Sequence, residues 1–220
     1  MSATHRPRHR VRRNFSGFAR VAAIPGAVLL AAALVGGASY SSFSATAGNN
    51  SNSFTAATVA LGADGSGSAL FTVSNLIPTT SASAVSKCVK VTYSGNVNSA
   101  VKLYTSNYSS PTPTNTTTTP LALGNALKVK VEQGTGGGAF GDCTGWTADA
   151  TNSLVYPENT LANFAGLTNF GSGVGTWTPS AAGTVKTFKV TYYLDGSVSN
   201  VNGTQAATAS VNLVWEADSQ

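Results

Sequence analysis

Beyond residue 20 the sequence contains no arginine, no histidine and no methionine. All six arginines and both histidines lie in the first twenty residues, and the remaining chain carries seven lysines against eight acids. A nearly neutral body without arginine lacks the basic surface that nucleic acids select, so we predict no nucleic-acid binding. Without histidine the body excludes Ser-His-Asp triads, Cys-His pairs and histidine zinc sites. We therefore predict that the protein is not an enzyme and has no catalytic residue, metal site or cofactor.

Strong helix formers are also scarce, because Ser, Thr, Asn and Gly make up 94 of the 220 residues. Such a composition favours strands and turns. Apolar and polar residues alternate repeatedly from Phe54 to the C-terminus, which is typical of half-buried strands. The sequence therefore predicts an all-β fold, an antiparallel β-sandwich of jelly-roll type. Strands are predicted at Phe54–Leu61, Ala69–Val73, Cys88–Tyr93, Ala100–Tyr104, Leu127–Val131, Thr184–Leu194 and Ala206–Trp215.

Two regions have no such alternation. The Ser/Thr/Pro tract from Ser109 to Pro120 is predicted to be an extended exposed loop. Residues 134–183 are rich in glycine and aromatic residues, and there the sequence predicts only one short helix, near Thr160–Leu167. Most of the aromatic side chains in that region are expected to pack in the core.

The first 41 residues have the pattern of an export signal. A basic stretch that ends at Arg20 precedes an apolar run, Val21–Val35, which is shorter than the roughly 20 residues of a membrane span. Small residues follow, and Ser39 with Ser41 supplies the small side chains that signal peptidase requires. The sequence predicts cleavage between Ser41 and Ser42.

Three alternatives for the leader remain open. Cleavage after Ala38 competes with cleavage after Ser41, and an uncleaved leader would hold the protein in the membrane through Val21–Ala38. Arg12 and Arg13 also resemble a twin-arginine signal, which would mean export in the folded state. All of these alternatives place the body of the protein outside the cytoplasm.

The chain is accordingly divided into three parts. Residues 1–41 are a signal peptide, residues 42–53 are a flexible N-terminal segment and candidate donor strand, and residues 54–220 are the β-sandwich domain. Membrane contact is expected only through the leader before its cleavage.

Cys88 and Cys143 are the only two cysteines. In an oxidising compartment an even number of cysteines most simply forms a disulfide, so we predict this pair. Two unrelated buried thiols are the alternative.

Trp146 and Trp177 are predicted to lie in loops among Asn, Thr and Gly. Exposed aromatic rings beside polar side chains can stack on sugars, which makes the two tryptophans candidate glycan contacts. A carbohydrate- or cell-wall-binding module is therefore the alternative function.

Several segments resemble one family of secreted bacterial proteins. The sequence Gly-Gly-Ala-Ser-Tyr-Ser-Ser-Phe-Ser starts at Gly36, Phe-Thr-Ala-Ala-Thr-Val-Ala-Leu starts at Phe54, and Val-Ser-Asn-Leu-Ile-Pro starts at Val73. Together with the alternation that ends at Trp215, they resemble the TasA and camelysin family, whose members carry a SipW-type signal peptide. Ala57 departs from the family pattern, which has glycine there, and so do Thr79-Thr80, where the family has Gly-Asp.

This resemblance implies a jelly-roll subunit that a dedicated signal peptidase releases. Some relatives assemble into matrix fibres in which an N-terminal segment adds a strand to the next subunit. It implies a secreted structural protein of the cell surface or biofilm matrix, which self-associates or contacts other surface proteins. It also implies a camelysin-like protease, but the body offers no histidine ligand, so we do not predict one.

Overall fold

A computed structural model describes residues 44–48 (backbone only), 59–72, 75–114 and 118–220. The predicted signal peptide, with its cleavage site between Ser41 and Ser42, lies outside these residues. In the described residues the chain forms two short helices, Leu123–Ala126 and Leu161–Phe164, and two 3-10 turns, Ser81–Ser83 and Val201–Thr204. Its ten strands are β1 (Ser44–Gly48), β2 (Leu61–Ala63), β3 (Val85–Tyr93), β4 (Ser99–Ser109), β5 (Leu127–Thr135), β6 (Thr147–Ala148), β7 (Leu154–Thr160), β8 (Val174–Trp177), β9 (Thr184–Leu194) and β10 (Ser210–Ser219).

The strands form two antiparallel sheets. The four-stranded sheet has the order β1-β10-β4-β8, and the six-stranded sheet has the order β2-β3-β9-β5-β6, with β7 also paired to β5. Every strand pair within the two sheets is antiparallel. The all-β prediction is confirmed, and the sheets pack face to face in a sandwich-like arrangement.

The sheet periodicity of two explains which side chains are buried. In β3, Val89, Val91 and Tyr93 are buried, whereas Lys90 and Thr92 between them are partly exposed. Successive side chains of a strand point to opposite faces, so each strand supplies one apolar row to the space between the sheets.

Phe188 joins the two sheets at the centre of the core. It lies on β9 and is 1% exposed. Its ring centroid is 5.4 Å from that of Trp215 on β10 and 6.3 Å from that of Trp177 on β8. One aromatic side chain of the six-stranded sheet thus contacts two tryptophans of the four-stranded sheet.

Most of the predicted strands are present. The structure contains the predicted Thr184–Leu194 strand as β9, and it extends the predicted Cys88–Tyr93, Ala100–Tyr104 and Leu127–Val131 strands. Residues 69–72 of the strand predicted at Ala69–Val73 are not a strand; Leu70 and Phe71 pack from a loop against the core. Most of the predicted Phe54–Leu61 strand lies outside the described residues.

Residues 134–183 contain more strand than the sequence predicts, namely β6, β7 and β8. The predicted short helix is there as Leu161–Phe164, and the Thr160 hydroxyl caps it by accepting a hydrogen bond from the Asn163 amide at 3.2 Å. Phe164 and Tyr156 are buried, as expected for core aromatics. Among the described residues no helix is long and apolar enough to cross a membrane.

Replacement of Phe188 by alanine should destabilise the protein by about 3–5 kcal/mol, because it removes the ring that both tryptophans contact and leaves a cavity. Phe188→Leu keeps much of the apolar volume and should cost less. Urea denaturation followed by circular dichroism measures both values. A loss below about 1 kcal/mol for Phe188→Ala would show that the two sheets do not depend on this contact.

Candidate functional site

The strand β1 forms one edge of the four-stranded sheet. It pairs antiparallel with β10, from Ser44 opposite Asp218 to Gly48 opposite Val214. These five residues belong to the segment predicted as a flexible tail and candidate donor strand, and here they add a strand to their own sheet. On its other side β10 pairs with β4 over a longer register, from Ser219 back to Ser210. Because β1 is short and has one neighbour in its sheet, few main-chain hydrogen bonds hold it.

A cavity of about 560 Å³ opens beside the end of this edge. On β10 its wall is formed by residues 210–213, which lie beyond the register of β1, and by Trp215, which lies opposite Ala47 of β1. Phe71 and Tyr192, whose rings meet edge to face at 4.7 Å, line it from the loop after β2 and from β9. None of the described residues that line the cavity is charged. The cavity is therefore suited to apolar side chains.

The glycine-rich segment after β5 folds back over the outer face of the six-stranded sheet. Gly136 has φ +77°, and a Cβ there would lie 2.2 Å from the carbonyl oxygen of Gly145, so only glycine fits. The Thr187 hydroxyl donates to the Gly136 carbonyl at 2.7 Å, and the Gly141 amide donates to the Cys88 carbonyl at 2.8 Å. These contacts hold the segment against β3 and β9.

A disulfide between Cys88 and Cys143 fixes the same segment. Cys88 lies on the outer face of β3 and is 2% exposed because the segment covers it. The predicted pairing is confirmed, and the disulfide is compatible with an extracellular protein.

The two candidate glycan contacts do not lie together. Trp146 is half-buried in the glycine-rich segment, and the Lys189 ammonium lies 4.0 Å from its ring centroid in a cation–π contact. Trp177 is 7% exposed on β8 and belongs to the core. The prediction that Trp177 lies in an exposed loop is wrong, because its ring packs against Phe188 between the sheets.

The outer face of the six-stranded sheet carries lysines with acidic partners. Glu132 on β5 lies 3.0 Å from Lys189 on β9 and 3.1 Å from Lys130 on its own strand. Burial opposes ionisation of Glu132, but the two ammonium groups outweigh it and hold the pKa of Glu132 below its ordinary value. A further pair on this face joins Lys128 to Asp195 at 3.7 Å. Lys128, Lys130 and Lys189 thus each have a carboxylate partner.

Tyr193 connects β9 to β7 on this same face. Its hydroxyl donates to Glu158 at 2.8 Å. Burial of the phenol is the larger cause, and the Glu158 carboxylate the smaller one, of a pKa for Tyr193 that is raised to about 12. The phenol therefore stays protonated at physiological pH. Within the described residues no three His, Cys, Asp or Glu side chains are grouped closely enough to hold a metal ion.

Sequence patterns alone did not place β1 against β10. Residues 44–48 are small and polar, so their alternation is weak; the residues in register with Trp215 and Ala217 are Ala47 and Ala45. These alternating alanines were the one feature of the sequence that could have indicated the pairing of β1 with β10. No protein-family model and no curated protein matches the sequence.

Loss of the disulfide should destabilise the protein by about 2–5 kcal/mol, since the unfolded chain regains the entropy of a long closed loop. We expect this loss in the Cys88→Ala/Cys143→Ala variant, measured by urea denaturation. The wild type treated with a thiol reductant is the matched control and should lose a similar amount. Equal stability of the variant and the oxidised wild type would contradict the prediction.

The Glu132 ion pairs should stabilise the protein at neutral pH and not in acid. The folded-state pKa of Glu132 lies below the ordinary 4.5, so its contribution is present above that value and disappears as the pH falls through the folded pKa. Glu132→Gln should therefore be less stable than the wild type near pH 7, and the difference should vanish in acid. Urea denaturation across a pH series tests this, and a difference that persists unchanged in acid would refute it.

Proposed function

We propose that this chain is an exported structural protein of the cell surface or extracellular matrix, and that it self-associates by exchange of β1 between subunits. The position of β1 at an open edge of the four-stranded sheet carries the proposal. Departure of β1 from its own subunit would expose the β10 edge between Val214 and Asp218. The same segment of a second copy has the matching sequence and would restore those main-chain hydrogen bonds.

The cost of this exchange is low for three physical reasons. First, β1 contributes only five residues to the sheet, so releasing it breaks few hydrogen bonds. Second, the hydrogen bonds lost within one subunit are regained between subunits, which leaves mainly the entropy of association to overcome. Third, the uncharged cavity beside β10 offers an apolar surface to a strand that extends beyond the β1 register. Each feature favours strand addition over a polar contact between intact subunits.

The fold that we propose for this subunit is a jelly roll. Successive long strands alternate between the two sheets, except β5 and β7, which pair within one sheet. In a jelly roll of eight strands the fourth and fifth are likewise consecutive in one sheet while the others alternate. Here β1, β3, β4, β5, β7, β8, β9 and β10 would be those eight strands, with β2 and β6 as short additions.

Export would follow from a signal peptide at residues 1–41, with cleavage between Ser41 and Ser42. Such cleavage would leave β1 only two residues from the new N-terminus, so the strand could leave its sheet without pulling a long chain through the fold. The resemblance to the TasA and camelysin family supports this assignment, and so does the disulfide Cys88–Cys143. Signal peptidase would be the partner during export, and other surface proteins would be further partners.

The alternative, a carbohydrate-binding module, has weaker support. A flat sugar-stacking platform needs exposed rings, but Trp177 is buried and Lys189 contacts Trp146. A single half-buried tryptophan would remain for stacking. We therefore place glycan binding second.

A disulfide that locks β1 in place tests the proposal. Thr46 and Glu216 are directly opposite in the β1–β10 pair. Opposite residues have Cβ atoms about 4.5–5.5 Å apart, close to the span that a disulfide can bridge. In Thr46→Cys/Glu216→Cys, built on the chain that starts at Ser42, the oxidised protein should stay monomeric. Size-exclusion chromatography and electron microscopy should show oligomers or filaments for the wild type.

Two controls separate the lock from side effects. The single variants Thr46→Cys and Glu216→Cys should assemble as the wild type does when thiol-capped. Reduction of the locked variant should restore assembly to the level of wild type in the same reductant, which also opens Cys88–Cys143. Assembly of the oxidised, locked protein would rule out exchange of β1, and a monomeric wild type at every concentration would rule out self-association.

A further inference from the structure

The cavity beside β1 lies between the two sheets. Leu213 and Trp215 of β10 line it from the four-stranded sheet. Val129 of β5 and Val190 of β9 line it from the six-stranded sheet. Protein interiors are close-packed, and an empty cavity of about 560 Å³ lowers stability because its walls lose packing contacts. A molecule that filled this space would therefore stabilise the fold.

The interior wall of the cavity is apolar. Among the described lining residues, the polar side chains that are not aromatic are those of Thr208, Ser210 and Asn212. They lie at the start of β10 or just before it and are exposed or half-buried, so hydrocarbon and aromatic rings line the interior. None of the described lining residues is charged, and an ion without a partner is costly to bury. The interior thus favours a neutral, largely apolar molecule.

One buried polar group in this wall is unpaired. Trp215 is 2% exposed, and among the described residues its indole N–H has no hydrogen-bond acceptor. A buried tryptophan N–H usually has an acceptor, because an unpaired donor away from water costs free energy. A water molecule needs two to four polar partners, which the apolar interior does not offer. One oxygen on an otherwise apolar molecule would satisfy this donor.

We propose that the cavity binds a small neutral molecule that has an aliphatic body and one hydrogen-bond-accepting oxygen, of the class of aliphatic ketones and esters. The Trp215 N–H donates to the oxygen, and the surrounding apolar side chains contact the aliphatic body. Ligand sites commonly have volumes of roughly 300–1,000 Å³, mostly apolar walls and few polar groups. The inference does not rest on the exchange of β1, which uses the main-chain edge of β10.

Displacement of a fluorescent probe tests the site. The probe N-phenyl-1-naphthylamine is neutral and apolar, and its emission rises when it leaves water. We expect saturable binding of this probe to the protein and its displacement by 2-octanone, an aliphatic ketone. Absence of saturable binding, or a bound probe that the ketone does not displace, would overturn the proposal.

A ring placed inside the cavity should block it. Ala209 lines the cavity just before β10 and is half-buried, so Ala209→Phe should lower the affinity for the probe and for 2-octanone at least tenfold. Ala182→Phe is the matched control, because Ala182 is exposed and does not line the cavity; it should bind as the wild type does. Circular dichroism checks that both variants are folded. Wild-type affinity in folded Ala209→Phe would place the bound probe elsewhere and refute the site.

Comparison with octane, a hydrocarbon of the same chain length, tests the hydrogen bond. The ratio of the two affinities is compared between variants, which cancels the different solubilities of the two molecules in water. Trp215→Phe removes the N–H and keeps an aromatic ring, so the ratio should shift about fivefold against the ketone, the contribution of one typical hydrogen bond. Trp177→Phe should keep the wild-type ratio, because Trp177 is buried against Phe188 but does not line the cavity. An unchanged ratio in Trp215→Phe would refute the hydrogen bond.

The indole N–H signals in nuclear magnetic resonance provide a measurement on the wild type itself. The protein has three tryptophans, so Trp146→Phe and Trp177→Phe assign two of the three signals and leave the third to Trp215. Saturation with 2-octanone should move the Trp215 proton downfield, as hydrogen bonding does, and octane should not. A Trp215 signal that is the same in the free and the ketone-saturated protein would overturn the proposal.

Discussion

Burial of the two inner sheet faces against each other is the constraint on which the rest of the structure depends. The domain is poor in charge and rich in small polar residues, so few side chains are available to fill the space between the sheets. Phe188, Trp177 and Trp215 supply much of that volume in one contiguous group. Once these rings are packed, the register of β8, β9 and β10 is fixed, because a shift by one residue would turn each ring outward.

The same arrangement leaves one edge weakly held. Strands β4 and β10 pair over most of their length and anchor the four-stranded sheet, whereas β1 covers only part of β10. The least stable elements of a fold are those that can move or exchange at low cost. A strand with one neighbour, close to the proposed processed N-terminus, belongs to that class. The physics of the edge therefore favours assembly through the main chain, which needs no conserved side-chain site.

The outer face of the six-stranded sheet is stabilised in a different way. Instead of a second apolar layer, it has lysine–carboxylate pairs and the glycine-rich segment that the disulfide Cys88–Cys143 holds down. Glycine at position 136 lets the backbone approach the neighbouring turn closely. This covering buries Cys88 and partly buries Trp146, which leaves little flat aromatic surface on that face.

Local signals in the sequence were enough to predict the all-β class, the antiparallel pattern, four of the long strands and the disulfide. Alternation with period two and an even cysteine count are local signals, so Thr184–Leu194 and the Cys88–Cys143 pair could be predicted without knowledge of their neighbours. Strands without alternation, such as β7 and β8, could not be predicted in this way. Nor could the position of Leu70 and Phe71 in a loop. Their conformation follows from packing against residues distant in sequence.

Tertiary structure alone decided where the edges and the exposed rings lie. The burial of Trp177 depends on the partner strand β4 and on Phe188 across the core, neither of which its own loop-like sequence indicates. Likewise, the alternation in Ser44–Gly48 is weak, and this segment becomes a strand only because the edge of β10 is open to pair with it. Local sequence sets which segments can be strands, whereas the order of strands depends on long-range pairing. The open edge and the cavity beside it are therefore properties of the assembled sheets.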